Sequence, residues 1–254
     1  MLEINKIHLG DSYTLIKEIP DKSVDCVYTD IPYLWDSHGK GTSELAIRME
    51  KKNQSLIDIQ DGIDYSIYDD FVRVLKKLNL IIWVSRLQLI DTLKYFVEEH
   101  KCTFTILTWH KLNPSPTTNN IWLPDTEFAI HFREKGIGLN DDYFLKSTFF
   151  ISPTNKDDKS NYEHPTIKPL VLVKRHLQHI THESDLVLDC FSGSGTTCVA
   201  AKELNRRFIG IEIDANYHRI SVERLNGIST SGQTSIFTDF EQLELLRGLR
   251  DENY

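Results

Sequence analysis

The chain has 254 residues, of which 40% are hydrophobic and 26% charged, and its formal net charge is −8 at pH 7. These values are typical of a globular protein with one α/β domain or two small ones, and no stretch reaches the roughly 20 apolar residues of a membrane-spanning helix. Residues 1–6 lack the basic-then-apolar pattern of a signal peptide, so we expect a cytoplasmic protein.

The net negative charge is a weak argument against a nucleic-acid partner, because phosphate binding favours a basic surface. Net charge is only a sum, however. Basic residues cluster at 48–52, 174–175 and 206–207, whereas acidic residues gather after residue 238. Charge alone therefore leaves the class of partner open.

The cysteines show no CxxC spacing; they are Cys26, Cys102, Cys190 and Cys198. This pattern predicts neither a structural zinc site nor a disulfide framework, and we expect no metal. Free cysteine is most often buried, so each of these residues is expected to be a buried thiol.

In chain order, the first half of the sequence predicts strands that alternate with helices. The predicted elements are a strand at 4–9, a helix at 12–19, a strand at 24–29, a helix at 67–78, a strand at 80–84 and a helix at 87–100. Ser66 is predicted to cap the helix at 67–78. The polar segment from Leu34 to about Asp64 is long for a plain connection, and such loops are usually functional or disordered.

The second half begins with two strands that are expected to pair with each other. Strands at 103–109 and 127–132 are predicted to be antiparallel neighbours across segment 111–125, and 138–165 is predicted to be a loop. The remaining predicted elements are a helix at 170–180, a strand at 186–188, a helix ending at Leu204, a strand at 208–213, a helix at 215–225, a linker at 229–235 and a short C-terminal helix.

Strands that alternate with helices imply a mainly parallel sheet with helices on both faces. Ligands of such sheets bind beyond the carboxyl ends of the strands. Acidic residues end or follow the predicted strands at four positions, namely Asp11, Asp30, Asp189 and Glu212. We therefore expect these acids to share one rim of the sheet and to belong to a functional site.

The tetrapeptide Asp30-Ile31-Pro32-Tyr33 lies where the apolar strand at 24–29 ends. Its carboxylate can accept an N–H group, its aromatic ring can stack, and its proline stiffens the turn between them. This combination suits a flat ring that carries an amine. The structural alternative is a strand end with a tyrosine packed beneath it.

A glycine-rich turn, Phe191-Ser192-Gly193-Ser194-Gly195-Thr196, follows the strand at 186–188. Glycine lets the backbone approach a ligand, and the helix start behind it favours an anionic group. Glu212, at the end of the next strand, suits a ribose diol. Cys198 replaces the third glycine of a dinucleotide loop, and the lysine of a Walker A loop is absent. We predict a nucleoside ligand with a carboxylate; the alternative is a tight turn without a ligand.

Together these motifs resemble those of the S-adenosylmethionine-dependent amino-methyltransferases of DNA, which methylate adenine N6 or cytosine N4. Asp30-Ile31-Pro32-Tyr33 resembles the family's Asp/Asn/Ser-Pro-Pro-Tyr/Phe motif, and residues 189–195 resemble its Phe-x-Gly-x-Gly signature. Residues 164–169, with His164, Thr166 and Lys168, are similar to the segment that closes over the cofactor's methionine part. Residues 10–12, 109–114 and 127–128 match further family positions, and the resemblance covers roughly residues 5–225.

The catalytic motif precedes the cofactor loop, which is similar to the circularly permuted β group of this family. The resemblance implies a Rossmann-like methyltransferase sheet, mainly parallel with one antiparallel strand. It also implies a catalytic domain at 1–228, with recognition insertions at about 34–64, 111–125 and 138–163. A tail with a short helix would follow at 229–254.

The resemblance further implies the roles of individual residues. The catalytic set is Asp30, Ile31, Pro32 and Tyr33. The cofactor S-adenosylmethionine is expected to contact Asp11, Asp30, His164, Thr166, Lys168, Asp189, Phe191, Ser192, Gly193, Ser194, Gly195, Thr196 and Glu212. Within that set, Asp11 would meet the adenine, Glu212 the ribose and Lys168 the carboxylate. Ile31 departs from the family's proline; it keeps the carbonyl that accepts from the target amine but lacks the fixed φ.

Aspartate at position 30 favours adenine N6 over cytosine N4, by family association. The expected function is site-specific methylation of adenine in double-stranded DNA, with the target base extruded from the helix. The alternatives are cytosine-N4 methylation, an RNA or protein methyltransferase, and a non-catalytic DNA-binding relative. A homodimer and a cognate restriction endonuclease are the further partners that the resemblance implies.

Overall fold

A single sheet of eight strands organises the part of the chain that the structure describes. The computed structural model describes residues 1–34, 62–114, 122–154 and 167–227. Its strands are β1 (Lys6–Leu9), β2 (Cys26–Asp30), β3 (Asn79–Val84), β4 (Thr103–Lys111), β5 (Thr126–Arg133), β6 (Phe149–Ser152), β7 (Leu186–Asp189) and β8 (Arg207–Glu212). Their order across the sheet is β1-β8-β7-β2-β3-β5-β4-β6.

Strand β5 is the antiparallel member of this sheet. It runs antiparallel to both neighbours, β3 and β4, whereas the other neighbouring pairs are parallel. The predicted mainly parallel sheet with one antiparallel strand is confirmed, as is the direct pairing of β4 with β5. The circular permutation stays a prediction.

Helices cover both faces of the sheet. They are α1 (Ser12–Leu15), which continues as a 3-10 turn (Ile16–Glu18), α2 (Ile67–Val74), α3 (Leu89–Leu93), which continues as a π-helix (Lys94–Glu99), α4 (Leu170–Ile180), α5 (Thr196–Glu203) and α6 (Ala215–Leu225). Alternate residues of β3 enter two cores: Leu80 packs with Phe71 of α2 on one face, and Ile81 with Leu172 of α4 on the other. Every residue of β3 is buried, as expected for a strand covered on both faces.

The helix predicted at 67–78 is shorter than expected. It ends at Val74 because Leu75 has an extended backbone, with φ −71° and ψ 130°, and forms a bridge with Val24. The predicted cap is also wrong, since the side chain of Ser66 makes no capping bond. Instead, the backbone N–H of Ser66 donates to Oδ1 of Asp64 at 2.9 Å.

Strand β6 corrects the loop predicted at 138–165. It pairs in parallel with β4, and its burial alternates: Phe150 and Ser152 are buried, whereas Phe149 and Ile151 are exposed. A 3-10 turn precedes it at Tyr143–Lys146. The sequence predicts a loop because most of the segment is polar. The short strand within it forms by pairing with β4, and that pairing leaves no local signal in the sequence.

Two further expectations concern the helix at 87–100 and the tail. The helix begins at Leu89, and its second half is a π-helix rather than an α-helix. The tail at 229–254, with its predicted linker and helix, lies outside the described residues.

The four cysteines are free and buried, as expected. Within the described ranges, no helix combines the length and the apolar character needed to cross a membrane.

Candidate active site

Four acids lie in a row along one edge of the sheet. Strands β1, β8, β7 and β2 are adjacent and parallel, so their carboxyl ends meet at the same edge. Asp11 follows β1, Glu212 ends β8, Asp189 ends β7 and Asp30 ends β2. The structure therefore brings together the acids that the sequence singled out.

The two carboxylate oxygens of Asp30 have different surroundings. Oδ2 accepts a hydrogen bond from Nζ of Lys168 at 2.5 Å. Oδ1 is buried and accepts no hydrogen bond from any residue within the described ranges. A buried polar atom without a partner is energetically costly. Within the described ranges Oδ1 therefore has unused hydrogen-bonding capacity, which suits an N–H group of a ligand.

Lys168, just before α4, joins Asp30 to a second carboxylate. Its Nζ lies 2.9 Å from Oε2 of Glu127 and 3.2 Å from the hydroxyl of Tyr33. Oε1 of Glu127 pairs in turn with Nζ of Lys111 at 2.5 Å. Carboxylates and ammonium groups thus alternate from β2 to β4. The contact predicted between Lys168 and a cofactor carboxylate stays a prediction.

Burial and charge act in opposite directions on this cluster. Burial raises the pKa of Asp30, and the charge of Lys168 opposes that rise. Burial disfavours the charged form of Lys168, but Asp30 and Glu127 outweigh it and raise the pKa of the ammonium group. Burial also disfavours ionised Glu127, yet Lys168 and Lys111 lower its pKa to about 2. Each charge is thus stabilised by its neighbours of opposite sign.

Glu127 and Lys111 lie in segments that match family positions, but the resemblance assigns them no individual role. A signal for them existed, because the predicted antiparallel pairing of β4 and β5 brings the end of one strand next to the start of the other. Trp83 was also missed; the Nζ atom of Lys168 lies 4.9 Å from the centre of its ring. These three residues complete the surroundings of Lys168.

The turn that carries Asp30 is anchored on two sides. Ile31 is 2% exposed and belongs to the core on the α2 face of the sheet. The carbonyl oxygen of Pro32 accepts a hydrogen bond from Nε2 of Gln88, another residue that the sequence analysis did not single out. Tyr33 is partly buried, and its hydroxyl donates to Oε2 of Glu127 at 3.3 Å.

The glycine turn after β7 depends on two left-handed residues. Gly193 and Gly195 have φ values of 48° and 78°. A Cβ atom on Gly195 would lie 2.9 Å from Cβ of Ser221, which is too close. Gly195 is therefore required by the packing of α6 against the turn as well as by its backbone conformation.

Asp189 and Ser192 hold this turn from within. Oδ1 of Asp189 accepts hydrogen bonds from Oγ1 of Thr29 at 2.8 Å and from the N–H of Phe191 at 3.2 Å. Burial raises the pKa of Asp189 to about 6. The hydroxyl of Ser192 donates to the carbonyl of Ile211 at 3.0 Å. The cofactor contacts predicted for Asp189, Phe191 and Ser192 stay predictions.

A buried arginine supports the start of α5. Nη1 of Arg224, on α6, donates to Oγ1 of Thr196 at 2.6 Å and to Oγ of Ser194 at 3.3 Å. The hydroxyls of Ser194 and Thr196, two residues predicted to contact the cofactor, therefore have a protein partner. No local sequence pattern points to Arg224, because its contacts depend on how α6 packs against the turn.

Glu212 receives two backbone N–H groups. Its Oε2 accepts from Gly193 at 2.7 Å and its Oε1 from Asp214 at 2.8 Å. Burial raises the pKa of Glu212. A carboxylate oxygen can accept more than one hydrogen bond, so both atoms can still receive hydroxyl donors. Asp11 caps α1, accepting from the N–H of Thr14 at 3.1 Å.

Some predicted site residues lie outside the described residues, namely His164 and Thr166. Most of the insertion at 34–64 and part of those at 111–125 and 138–163 also lie outside them. A surface cavity of about 490 Å³ lies at the amino ends of β1 and β8, beside Lys6, Asn205 and Arg207. None of the predicted site residues lines it.

Comparisons with known proteins find relatives that match most of the chain. A family model described as DNA methylase matches residues 24–223. The chain is 31% identical to the Type II methyltransferase M2.LlaDCHI of Lactococcus lactis subsp. cremoris, over 88% of this chain and 90% of that protein. It is 28% identical to the Type II methyltransferase M2.MboI of Moraxella bovis, over 88% of each. The crystal structure of the M1.HpyAVI–SAM complex matches with a TM-score of 0.64 and 27% identity, over 87% of this chain and 98% of that chain.

Proposed function

This chain belongs to the DNA methylase family, and from that premise we propose that it methylates the N6 amino group of adenine in double-stranded DNA. The methyl donor is S-adenosylmethionine. The observation that carries the proposal is the carboxylate of Asp30, held at a strand end beside the ring of Tyr33, whose Oδ1 accepts no hydrogen bond from the described residues. Aspartate at this position favours adenine over cytosine by family association.

The residues at the rim fit the cofactor. Glu212 is a buried acceptor with capacity for two hydroxyl donors, which suits a ribose diol. Gly193 and Gly195 let the backbone beside it turn tightly at the start of α5. Asp11 lies on the next strand end and is the proposed contact for the adenine of the cofactor. His164 and Thr166 are proposed for its methionine part.

The chemistry follows from how an aromatic amine is held. Bound S-adenosylmethionine supplies an electrophilic methyl group. The lone pair of an exocyclic amine is delocalised into its ring, so the amine is a weak nucleophile. Oδ1 of Asp30 and the carbonyl of Ile31 accept its two N–H bonds and direct the lone pair out of the ring. Fixed acceptors in a water-poor site are an effective form of catalysis.

The reaction also requires a proton to leave. The amine nitrogen would gain the methyl group as the bond from that methyl to the sulfonium sulfur breaks, and the cofactor would leave as a neutral thioether. The nitrogen also loses one proton, so that the methylated base is neutral. Asp30 is the adjacent base. Burial raises its pKa, which makes the carboxylate a stronger acceptor for that proton. Transfer is direct, without a covalent bond between the enzyme and the base.

The target base must leave the helix stack, which costs a few kcal/mol. Stacking on the ring of Tyr33 offsets roughly 1–3 kcal/mol of this cost. Tyr33 lies beside Asp30 in the chain, so one turn supplies both the stacking surface and the acceptor. This arrangement supports base flipping as part of the reaction.

The proposal is tested by identifying the product. Unmethylated double-stranded DNA is incubated with the protein and labelled S-adenosylmethionine, hydrolysed to nucleosides and separated. We expect label in N6-methyladenine. Label in N4-methylcytosine would overturn the choice of base, and transfer to RNA or protein but not to DNA would overturn the substrate.

Two partners are proposed beyond DNA. Relatives named Type II methyltransferases support a role beside a restriction endonuclease that recognises the same sequence. A homodimer is supported by apolar side chains on one face of β4 and β6, where Phe104, Ile106, Phe149 and Ile151 are exposed. Light scattering of the purified chain tests the dimer: a mass of one chain at micromolar concentration would contradict it.

A further inference from the structure

The ammonium group of Lys168 has acceptors for all its donors inside the protein. A lysine ammonium carries three N–H donors. Nζ lies 2.5 Å from Oδ2 of Asp30, 2.9 Å from Oε2 of Glu127 and 3.2 Å from the hydroxyl of Tyr33. Three acceptors for three donors leave no N–H for the carboxylate of a ligand. In this arrangement Lys168 serves the other residues of the site.

The position of Lys168 is fixed by its surroundings. The residue is 8% exposed, and its Nζ lies 4.9 Å from the ring centre of Trp83 and 5.3 Å from that of Tyr33. Such distances are favourable for a cation over an aromatic ring. The preceding residue, Ile167, is buried against Ile220 of α6. The side chain is therefore held from its backbone to its charged end.

Among the described groups that interact electrostatically with Asp30, Lys168 is the cation. Two carboxylates also face Asp30, namely Glu127 on β5 and Asp189 on β7. The remaining neighbours are the phenols of Tyr28 and Tyr33. Burial and neighbouring anions both favour a protonated carboxyl group. Without Lys168, Asp30 would therefore take up a proton at a higher pH.

We propose that Lys168 is a positioning residue for Asp30, which keeps the carboxylate ionised and binds Oδ2, so that Oδ1 is left to accept from the amino group of the target base. Glu127, paired on its other side with Lys111, holds the ammonium group in place. This inference rests on the proposed function, because there Asp30 receives the amine. An ionised acceptor forms the stronger hydrogen bond, and a protonated Asp30 would be both a weaker acceptor and no base.

The first test is a ¹³C NMR titration of the Asp30 carboxyl group in the full chain, without DNA or cofactor. Lys168→Met removes the charge and keeps the length of the side chain; we expect the Asp30 midpoint to rise by about 1–3 pH units. Lys111→Met is the matched control, since Lys111 contacts Glu127 but not Asp30, and we expect a smaller shift. An unchanged midpoint in Lys168→Met would overturn the proposal.

The second test is the pH profile of methyl transfer to unmethylated double-stranded DNA. In Lys168→Met the acidic limb of the pH–rate profile should shift to higher pH by the same amount as the Asp30 midpoint. At pH values above that midpoint, the rate of the variant should approach that of wild type. Lys168→Arg, which keeps the charge, should restore the limb toward its wild-type position. A loss that is equal at every pH would indicate a merely structural role and contradict the proposal.

Two safeguards keep these tests decisive. If Lys168→Met does not fold, Lys168→Gln retains a donor for Oδ2 without the charge, and the same upward shift is expected. The titration needs no DNA, so it separates the two proposals. If the Asp30 midpoint shifts in Lys168→Met but the wild type methylates no DNA, only the proposed function is overturned. An active wild type with an unshifted midpoint would overturn the role of Lys168 alone.

Discussion

The side-chain amide of Gln88 donates a hydrogen bond of 2.9 Å to the carbonyl oxygen of Pro32, directly beside the proposed acceptors of the target amine. Gln88 is 1% exposed, and its own Oε1 accepts from the backbone N–H of Ser85 at 3.1 Å. The side chain of Ile31, which precedes Pro32 in the chain, is also buried. The turn thus has tertiary anchors in place of the rigidity that a proline at position 31 would give.

Gln88→Ala is expected to loosen this turn. The carbonyl of Pro32 loses its donor, which costs about 1–3 kcal/mol of the free energy of unfolding if the group stays buried. Misplacement of the acceptors by 1 Å can lower the rate by roughly 100-fold. Denaturant unfolding and kcat measure the two effects. A variant with wild-type kcat would show that Gln88 does not position the turn.

Tyr33→Ala and Tyr33→Phe separate stacking from hydrogen bonding. Phenylalanine keeps the ring but loses the hydroxyl that contacts Lys168 and Glu127. Alanine loses the ring as well, which removes roughly 1–3 kcal/mol of stacking on the flipped base. We expect Tyr33→Ala to lower kcat/KM for DNA about 5- to 150-fold relative to Tyr33→Phe. Equal values for the two variants would contradict stacking on Tyr33.

Glu212→Gln is expected to weaken binding of S-adenosylmethionine. The carboxylate is the proposed acceptor for the ribose hydroxyls, and hydrogen bonds to a charged group contribute about 1.5–3 kcal/mol each. Isothermal titration calorimetry should therefore show at least about tenfold weaker binding. Glu203→Gln is the matched control, because Glu203 pairs with Lys174 away from the rim and binding should be unchanged. Equal affinities in all three proteins would remove Glu212 from the site.

Asp189 gives the stability of the protein a defined pH dependence. Its pKa is about 6 in the folded protein, because of burial, against 3.8 for an ordinary aspartate. Between these values the folded state holds a proton that the unfolded chain has lost, so the Asp189 contribution to the free energy of unfolding falls as pH rises. The fall is on the order of 3 kcal/mol.

Asp189→Asn should remove that fall. Denaturant unfolding of wild type and variant between pH 4 and pH 7 measures it, and the variant should become progressively more stable relative to wild type as pH rises. Parallel curves would mean that Asp189 titrates in the same way in both states.

The row of acids at the strand ends was predictable from the sequence, but the side-chain contacts that these acids make were not. Asp11, Asp30, Asp189 and Glu212 each stand where an apolar run ends, so a parallel sheet necessarily aligns them. Lys168 contacts Asp30 across a long stretch of chain, and no local pattern encodes that pairing. Strand β6 was missed for a similar reason, since Phe149–Ser152 is short and is stabilised by pairing with β4.

The most direct test of the account is the rate of methyl transfer from labelled S-adenosylmethionine to unmethylated DNA by wild type and Asp30→Ala, both at saturating cofactor. Asp30 provides the open acceptor and the adjacent base, so its removal should lower the rate by at least about 100-fold. Transfer by Asp30→Ala at the wild-type rate would contradict the mechanism.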